Sequence, residues 1–163
     1  MKTEIKWGII FAVMSLAWLV LEYALGFHTT KKDSHAMFTN FFAIPAIAIM
    51  AMGILAKKKE LGGVISFKQA LVSGLIISTI VAVLNPVGAF IFHNFINPNF
   101  FTDFTQYTVL KGLMTQEKAE MYFNFGNYAM MGAVAALVMG AVTSLVVALI
   151  VRNDHKQPAV VSA

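Results

Sequence analysis

Glu22 is the one charged residue inside four long apolar stretches of this sequence. The stretches cover positions 7–27, 36–56, 70–96 and 125–151. A carboxylate costs about 2.5–3.5 kcal/mol at the centre of a bilayer on insertion scales, so a charged group at such depth is a functional candidate by default. Because Glu22 lies near the end of its stretch, a carboxyl group that snorkels or bonds to a neighbour is the alternative interpretation.

Three of the four histidines are predicted to lie on the outer side of the membrane, as Glu22 does. These are His28, His35 and His93, and Asp33 and Asp103 accompany them. Imidazole and carboxylate groups together can bind zinc or another divalent ion, or relay protons. Their spacing follows no metal motif, since the chain has neither His-Glu-x-x-His nor a histidine pair at positions i and i+4. We therefore take Glu22, His28 and His93 as candidate binding residues and expect neither a resident metal nor a cofactor.

The sequence offers no recognisable catalytic machinery. It contains no cysteine, no Gly-x-Ser-x-Gly motif and no phosphate-binding glycine loop. It also lacks a pair of carboxylates placed for acid–base work. We expect no catalytic residues and a protein that is not an enzyme.

The composition is that of an integral membrane protein. Hydrophobic residues make up 58% of the chain and charged residues 12%, against about 45–50% and about 25% in a soluble domain. Even the shorter apolar stretches would reach roughly 31 Å as helices, enough to cross a hydrocarbon core. The sequence predicts an all-α polytopic membrane protein, with one four-span domain over 1–152 and a polar cytoplasmic tail over 153–163.

The distribution of basic residues predicts the orientation. Eight of the twelve lysines and arginines fall on one side if all four stretches span, and basic residues favour the cytoplasmic side. We expect both termini in the cytoplasm of a bacterial inner membrane, with lipids as partners and no nucleic acid. The first stretch also has features of a cleaved secretory signal, but its length and Glu22 favour retention as a span.

Proline and capping patterns predict where the helices begin and bend. Ser66 and Gln69 have the form of a capping box, which would start the third helix at Phe67. Pro45 predicts a kink in the second helix and Asn85-Pro86 a kink in the third.

An additional helix is predicted in the long third loop. Asn97 and Pro98 should open it, and it should run to about Lys111 with an aromatic face. That face lies at the outer membrane interface or packs over the bundle. Thr115 should cap a further helix that continues unbroken into the fourth span.

A stripe of small residues follows the fourth span at every fourth position. It consists of Gly132, Ala136, Gly140, Ser144 and Ala148. Small residues at this spacing let helix backbones approach closely in lipid. The stripe predicts packing within the chain or, alternatively, homodimer formation.

Two short segments resemble an uncharacterised bacterial membrane family, domain of unknown function 4199. They are the run over 63–70, which includes Ile65-Ser66-Phe67, and the run over 95–100. The resemblance covers roughly 5–152 and implies a short bacterial inner-membrane protein, but it supplies no activity, substrate or cofactor.

Together these features predict an inner-membrane protein of unknown biochemical role that acts as a structural or interaction module, as a homodimer or beside another membrane protein. The alternative is a small transporter, or a proton- or metal-linked carrier, that uses Glu22 and the outer-side histidines.

Overall fold

The computed structural model describes residues 1–153, and this part is mostly helical and contains no strand. Its helices are α1 (Lys2–Ala24), α2 (His35–Asn40), α3 (Ala43–Glu60), α4 (Phe67–Ile91), α5 (Phe100–Leu110), α6 (Gln116–Tyr122) and α7 (Phe125–Val151). Four helical segments are long and apolar enough to cross a membrane: Lys2–Ala24, Lys32–Glu60, Phe67–Ile96 and Phe125–Val151. The predicted all-α fold with four spans is confirmed.

Helix α4 is the central element of the bundle and packs against α1, α3 and α7. The core at these contacts consists of Met50, Ile54, Ile65, Ala70, Ile77, Val81, Val147 and Ala148. Many other large apolar side chains point outward along the spans, for example Val83, Val138 and Ile150. An apolar outer surface of this kind suits contact with lipid tails.

The small residues of α7 lie largely inside the bundle. Gly140, Ser144 and Ala148 are buried, and the ideal Cβ position of Gly140 would collide with the Ser78 hydroxyl of α4. Gly74 of α4 faces Ser144 in the same way. The close approach of α4 and α7 therefore depends on a glycine opposite each serine. These contacts are packing within the chain.

The second span, Lys32–Glu60, is interrupted just before Pro45. Helix α2 ends at Asn40, and α3 begins at Ala43 after a two-residue turn. Pro45 is the third residue of α3, where a helix has no intrahelical acceptor for the N–H that proline lacks. Phe41 and Phe42 keep αR backbone dihedrals, and the interruption lies within the four residues before Pro45, where the proline ring excludes a bond to the Phe41 carbonyl as predicted.

The third span keeps its helix through Pro86. The capping box at Ser66 and Gln69 is present as predicted, and α4 continues to Ile91. A π-helical turn over Phe92–Ile96 follows, closed by a bond from the Asn97 N–H to the Phe92 carbonyl of 2.9 Å.

The third loop differs from its prediction at two points. Helix α5 begins at Phe100 after Asn99, two residues later than expected. Thr115 caps α6 as predicted, but α6 and α7 are separate helices, because Asn124 accepts a bond from the Asn127 N–H and starts a new helix. Of the predicted tail 153–163, residues 154–163 lie outside the described part.

Candidate functional site

The Glu22 carboxylate is fully buried, with 0% of the residue exposed, near the end of α1. Its Oε1 oxygen accepts two hydrogen bonds. One comes from Trp18 Nε1 at 2.8 Å, one helical turn earlier, and the other from Thr39 Oγ1 of α2 at 2.7 Å. Two donors from two helices fix the orientation of the carboxylate plane.

The second oxygen of Glu22 faces two imidazoles. Oε2 lies 3.1 Å from Nε2 of His28 and 3.5 Å from Nε2 of His35. The three polar atoms all lie within 4.8 Å of one another. We refer to Glu22, His28 and His35 as the His–Glu cluster.

A tight turn brings His28 back to Glu22. Gly26 adopts φ +83°, the left-handed conformation that favours glycine, and ends the helix. The Phe27 N–H then bonds to the Glu22 carbonyl at 2.9 Å. In a continuous helix His28 would lie about 240° around the axis from Glu22, so the turn creates this contact.

Helix α2 contributes two groups from one face. His35 is its first residue and Thr39 lies four positions later, which places both side chains on the same side of the helix. Both reach Glu22. The pair could have been found from its i, i+4 spacing, but a histidine and a threonine at that spacing form no known motif.

Aromatic rings of α5 cover the cluster. The Phe100 ring centroid lies 5.0 Å from that of His28, and the Phe104 centroid lies 4.8 Å from that of His35. Both phenylalanines are buried. The predicted aromatic face of α5 thus packs over one end of the bundle, which we call the Glu22 end.

Polar contacts connect α5 to the segment that carries the histidines. Tyr107 donates a 2.5 Å hydrogen bond to Asp33, and Lys111 Nζ lies 3.1 Å from the same carboxylate. The hydrogen bonds to Asp33 raise the pKa of Tyr107 and the pKa of Lys111 above their usual values. Lys32 and Asp103 form a longer ion pair of 3.9 Å.

His93 lies outside the His–Glu cluster, although the sequence placed it with Glu22 and His28. It belongs to the π-helical turn and contacts Phe100, Phe101 and Tyr128, with ring centroids 4.6, 4.5 and 5.0 Å away. The Phe100 ring contacts both His93 and His28. Of the three candidate binding residues, the structure brings Glu22 and His28 together and places His35 beside them.

A second buried carboxylate closes the opposite end of α1. Glu4 is buried and lies 3.2 Å from Lys57 Nζ and 3.5 Å from Ser73 Oγ. Eighteen residues, or about 27 Å of helix, separate it from Glu22. Because Glu4 has a lysine partner, it forms an ordinary ion pair at what we call the Glu4 end.

The donor atoms of the His–Glu cluster suit a borderline divalent metal ion. Zinc binds imidazole nitrogen and carboxylate oxygen at about 2.0–2.2 Å, so tetrahedral ligands lie roughly 3.3–3.5 Å apart. The Glu22 distances of 3.1 and 3.5 Å are close to that separation. Oε1 already has two donors, which leaves Oε2 as the ligand atom.

Four spanning helices and a cluster of this kind at one end of the bundle define a multi-pass membrane protein. The chain belongs to the family described as Protein of unknown function (DUF4199), whose model matches residues 6–153. The resemblance found in the sequence is thereby confirmed. No curated protein and no solved structure matches the chain.

Proposed function

We propose that this membrane protein binds a divalent transition-metal ion of the zinc type at Glu22, His28 and His35, and that it is a binding protein and not an enzyme. The observation that carries the proposal is the position of Glu22 Oε2, 3.1 Å from one histidine Nε2 and 3.5 Å from another. Three protein ligands leave a fourth position for water or another ligand.

The surroundings of the cluster support this assignment. Trp18 and Thr39 hold Oε1, and groups that orient metal ligands in this way are typical of metal sites. Two imidazoles and one carboxylate suit Zn²⁺, Co²⁺ or Ni²⁺, whereas Mg²⁺ and Ca²⁺ prefer shells of oxygen and Cu⁺ prefers sulfur.

The bundle beneath the cluster supports binding rather than passage of an ion. Ile54, Ile77 and Val81 fill the core between the Glu22 end and the Glu4 end, and apolar side chains offer a cation no ligands. A metal- or proton-linked carrier and a structural or interaction module, with or without a homodimer, remain predictions from the sequence.

The proposed orientation places the cluster on the outer side of a bacterial inner membrane. The basic residues near the Glu4 end support it, because they favour a cytoplasmic location for both termini. Since the chain has no cysteine, single cysteines can report the orientation. A membrane-impermeant maleimide should label Leu113→Cys in intact cells and Leu61→Cys only after the cells are opened; the reverse pattern would contradict the orientation.

Metal binding is tested on the full chain in lipid nanodiscs. Native mass spectrometry after exposure to Zn²⁺ should show one retained ion per chain, and a Co²⁺ titration should give the visible absorption of a four-coordinate site. Glu22→Gln and His35→Ala should abolish both signals, whereas Glu117→Gln, an exposed carboxylate of α6, should retain them. Absence of a retained ion, or full binding by Glu22→Gln, would overturn the proposal. A dimer mass without metal would favour the interaction module instead.

A further inference from the structure

Helix α5 covers one side of the His–Glu cluster. Glu22 and His28 are 0% exposed, and Phe100 and Phe104 lie over the two imidazoles. Of the three proposed ligands, His35 alone keeps exposed surface, 19% of its side chain. Because Phe100 and Phe104 of α5 lie against both imidazoles, the position of α5 affects how easily an ion in solution reaches them.

The covering helix ends in non-helical backbone on both sides. Residues 97–99 separate it from the π-helical turn, and Gly112 follows it with φ +68°. The ideal Cβ position of Gly112 has no atom within 4 Å. Such breaks can absorb the backbone rotations that a hinged element needs.

Besides its buried phenylalanines, α5 is attached to the histidine segment by exposed polar contacts. Asp33 joins both Tyr107 and Lys111 of the α5 end to the histidine segment. Exposed ion pairs contribute little to stability and are screened by salt. The helix that covers the buried cluster is thus attached through weak polar contacts, which a single substitution can remove.

We propose that α5 is a strap that controls how fast the metal ion enters and leaves the cluster, and that Asp33 is its latch. The inference rests on the proposed metal-binding function and concerns its regulation. A latch of this kind changes the rates of binding and release together, because it alters the opening of the strap and leaves the ligands unchanged. The affinity then stays constant while exchange becomes faster or slower.

The first test weakens the latch. Co²⁺-loaded protein in nanodiscs is mixed with excess Zn²⁺, and loss of the Co²⁺ absorption gives the rate of exchange. Asp33→Asn should exchange about fivefold faster at unchanged equilibrium affinity. Glu117→Gln, which removes an exposed charge of α6 and leaves Asp33 in place, should exchange at the wild-type rate. Equal rates for Asp33→Asn and wild type would overturn the role of Asp33.

The second test locks the strap in place. The cysteine-free chain allows Asp33→Cys with Lys111→Cys to be joined by a short bifunctional methanethiosulfonate, and the same pair capped with methyl methanethiosulfonate is the unlocked reference. Locking should slow exchange at least tenfold relative to that reference. Gln116→Cys with Glu120→Cys, whose native side chains touch within α6, controls for the reagent. Unchanged exchange in the locked protein would overturn the strap while metal binding itself stands.

A metal-free readout separates the two proposals. Diethyl pyrocarbonate modifies accessible imidazoles, and peptide mass spectrometry gives the modification rate of His28. The locked protein should react more slowly at His28 than the capped one. If neither protein binds metal but the rates differ in this way, the metal site fails and the strap stands; equal rates contradict the strap.

Discussion

The Oε2 oxygen of Glu22 and the Nε2 nitrogen of His28 lie 3.1 Å apart because the chain reverses at Gly26 between them. Helix α1 supplies the carboxylate, and the turn that ends the helix supplies the imidazole. The α2 residues His35 and Thr39 approach the same carboxylate from the other side. The cluster thus joins two helices and the turn between them at a single buried acid.

Gly26→Ala should weaken metal binding through the backbone. A non-glycine residue at positive φ costs about 1–2 kcal/mol, and the new Cβ would lie 2.9 Å from Thr30 Oγ1, so His28 should shift away from Glu22. We expect lower stability in a denaturant titration and a weaker Co²⁺ affinity. Gly62→Ala is the matched control, since Gly62 has φ +80° and open space at the Glu4 end: it should lose similar stability and keep its affinity. An equal loss of affinity in both variants would contradict the role of the turn.

Thr39→Val should lower the metal affinity about 10–100-fold, the usual effect of removing a group that orients a metal ligand. Valine keeps the shape of threonine but cannot donate to Glu22 Oε1, so the carboxylate loses one of its two fixed bonds. Isothermal titration with Zn²⁺ measures the change. Thr79→Val is the control, because the Thr79 hydroxyl donates to the Leu75 carbonyl of its own helix. Unchanged affinity in Thr39→Val would show that Trp18 alone orients the carboxylate.

Gly140→Ala should destabilise the α4–α7 contact by about 1–3 kcal/mol, as overpacking does in other cores. The added methyl group collides with Ser78. Gly132→Ala, where no atom lies within 4 Å of the new Cβ, should be neutral or stabilising by up to about 1 kcal/mol through helix propensity. Unfolding in a mild-to-harsh detergent series gives both values.

The collision itself is tested by removing the Ser78 side chain from the Gly140→Ala variant. Gly140→Ala combined with Ser78→Gly restores the space and should recover part of the lost stability, less the cost of a glycine within a helix. If the loss of unfolding free energy in the double variant equals the sum of the losses in the two single variants, the collision between these two positions does not cause the destabilisation.

Asp33→Asn should let Tyr107 titrate at lower pH. The Asp33 carboxylate accepts a hydrogen bond from the Tyr107 hydroxyl and stabilises the protonated phenol, which raises the pKa of Tyr107. In the wild type this contact contributes stability below the ordinary pKa of tyrosine and loses it as the pH rises through the raised value. Ultraviolet difference titration measures the ionisation of tyrosine in the wild type, in Asp33→Asn and in the double variant Asp33→Asn/Tyr107→Phe. The double variant identifies the signal of Tyr107. A Tyr107 titration that is identical with and without Asp33 would contradict the contact.

Much of the architecture could be predicted from the sequence because it depends on local properties. Apolar length and the near absence of charge determine the four spans. The Ser66 capping box and the Thr115 cap need only residues three positions apart. The deviation at Asn124 concerns the choice between continuing and restarting a helix, which depends on how neighbouring segments pack.

The composition of the site could be predicted only in part. Glu22 was identified as the one charged residue in the four apolar stretches, and its position near a span end grouped it with the outer histidines. Which histidines reach it was decided by the tertiary structure: the Gly26 turn returns His28, the first turn of α2 presents His35, and the Phe100 ring stands between His28 and His93. A membrane span is determined by the hydropathy and charge of its own residues. A three-residue cluster, in contrast, requires turns and helix packing that bring distant positions within a few ångströms.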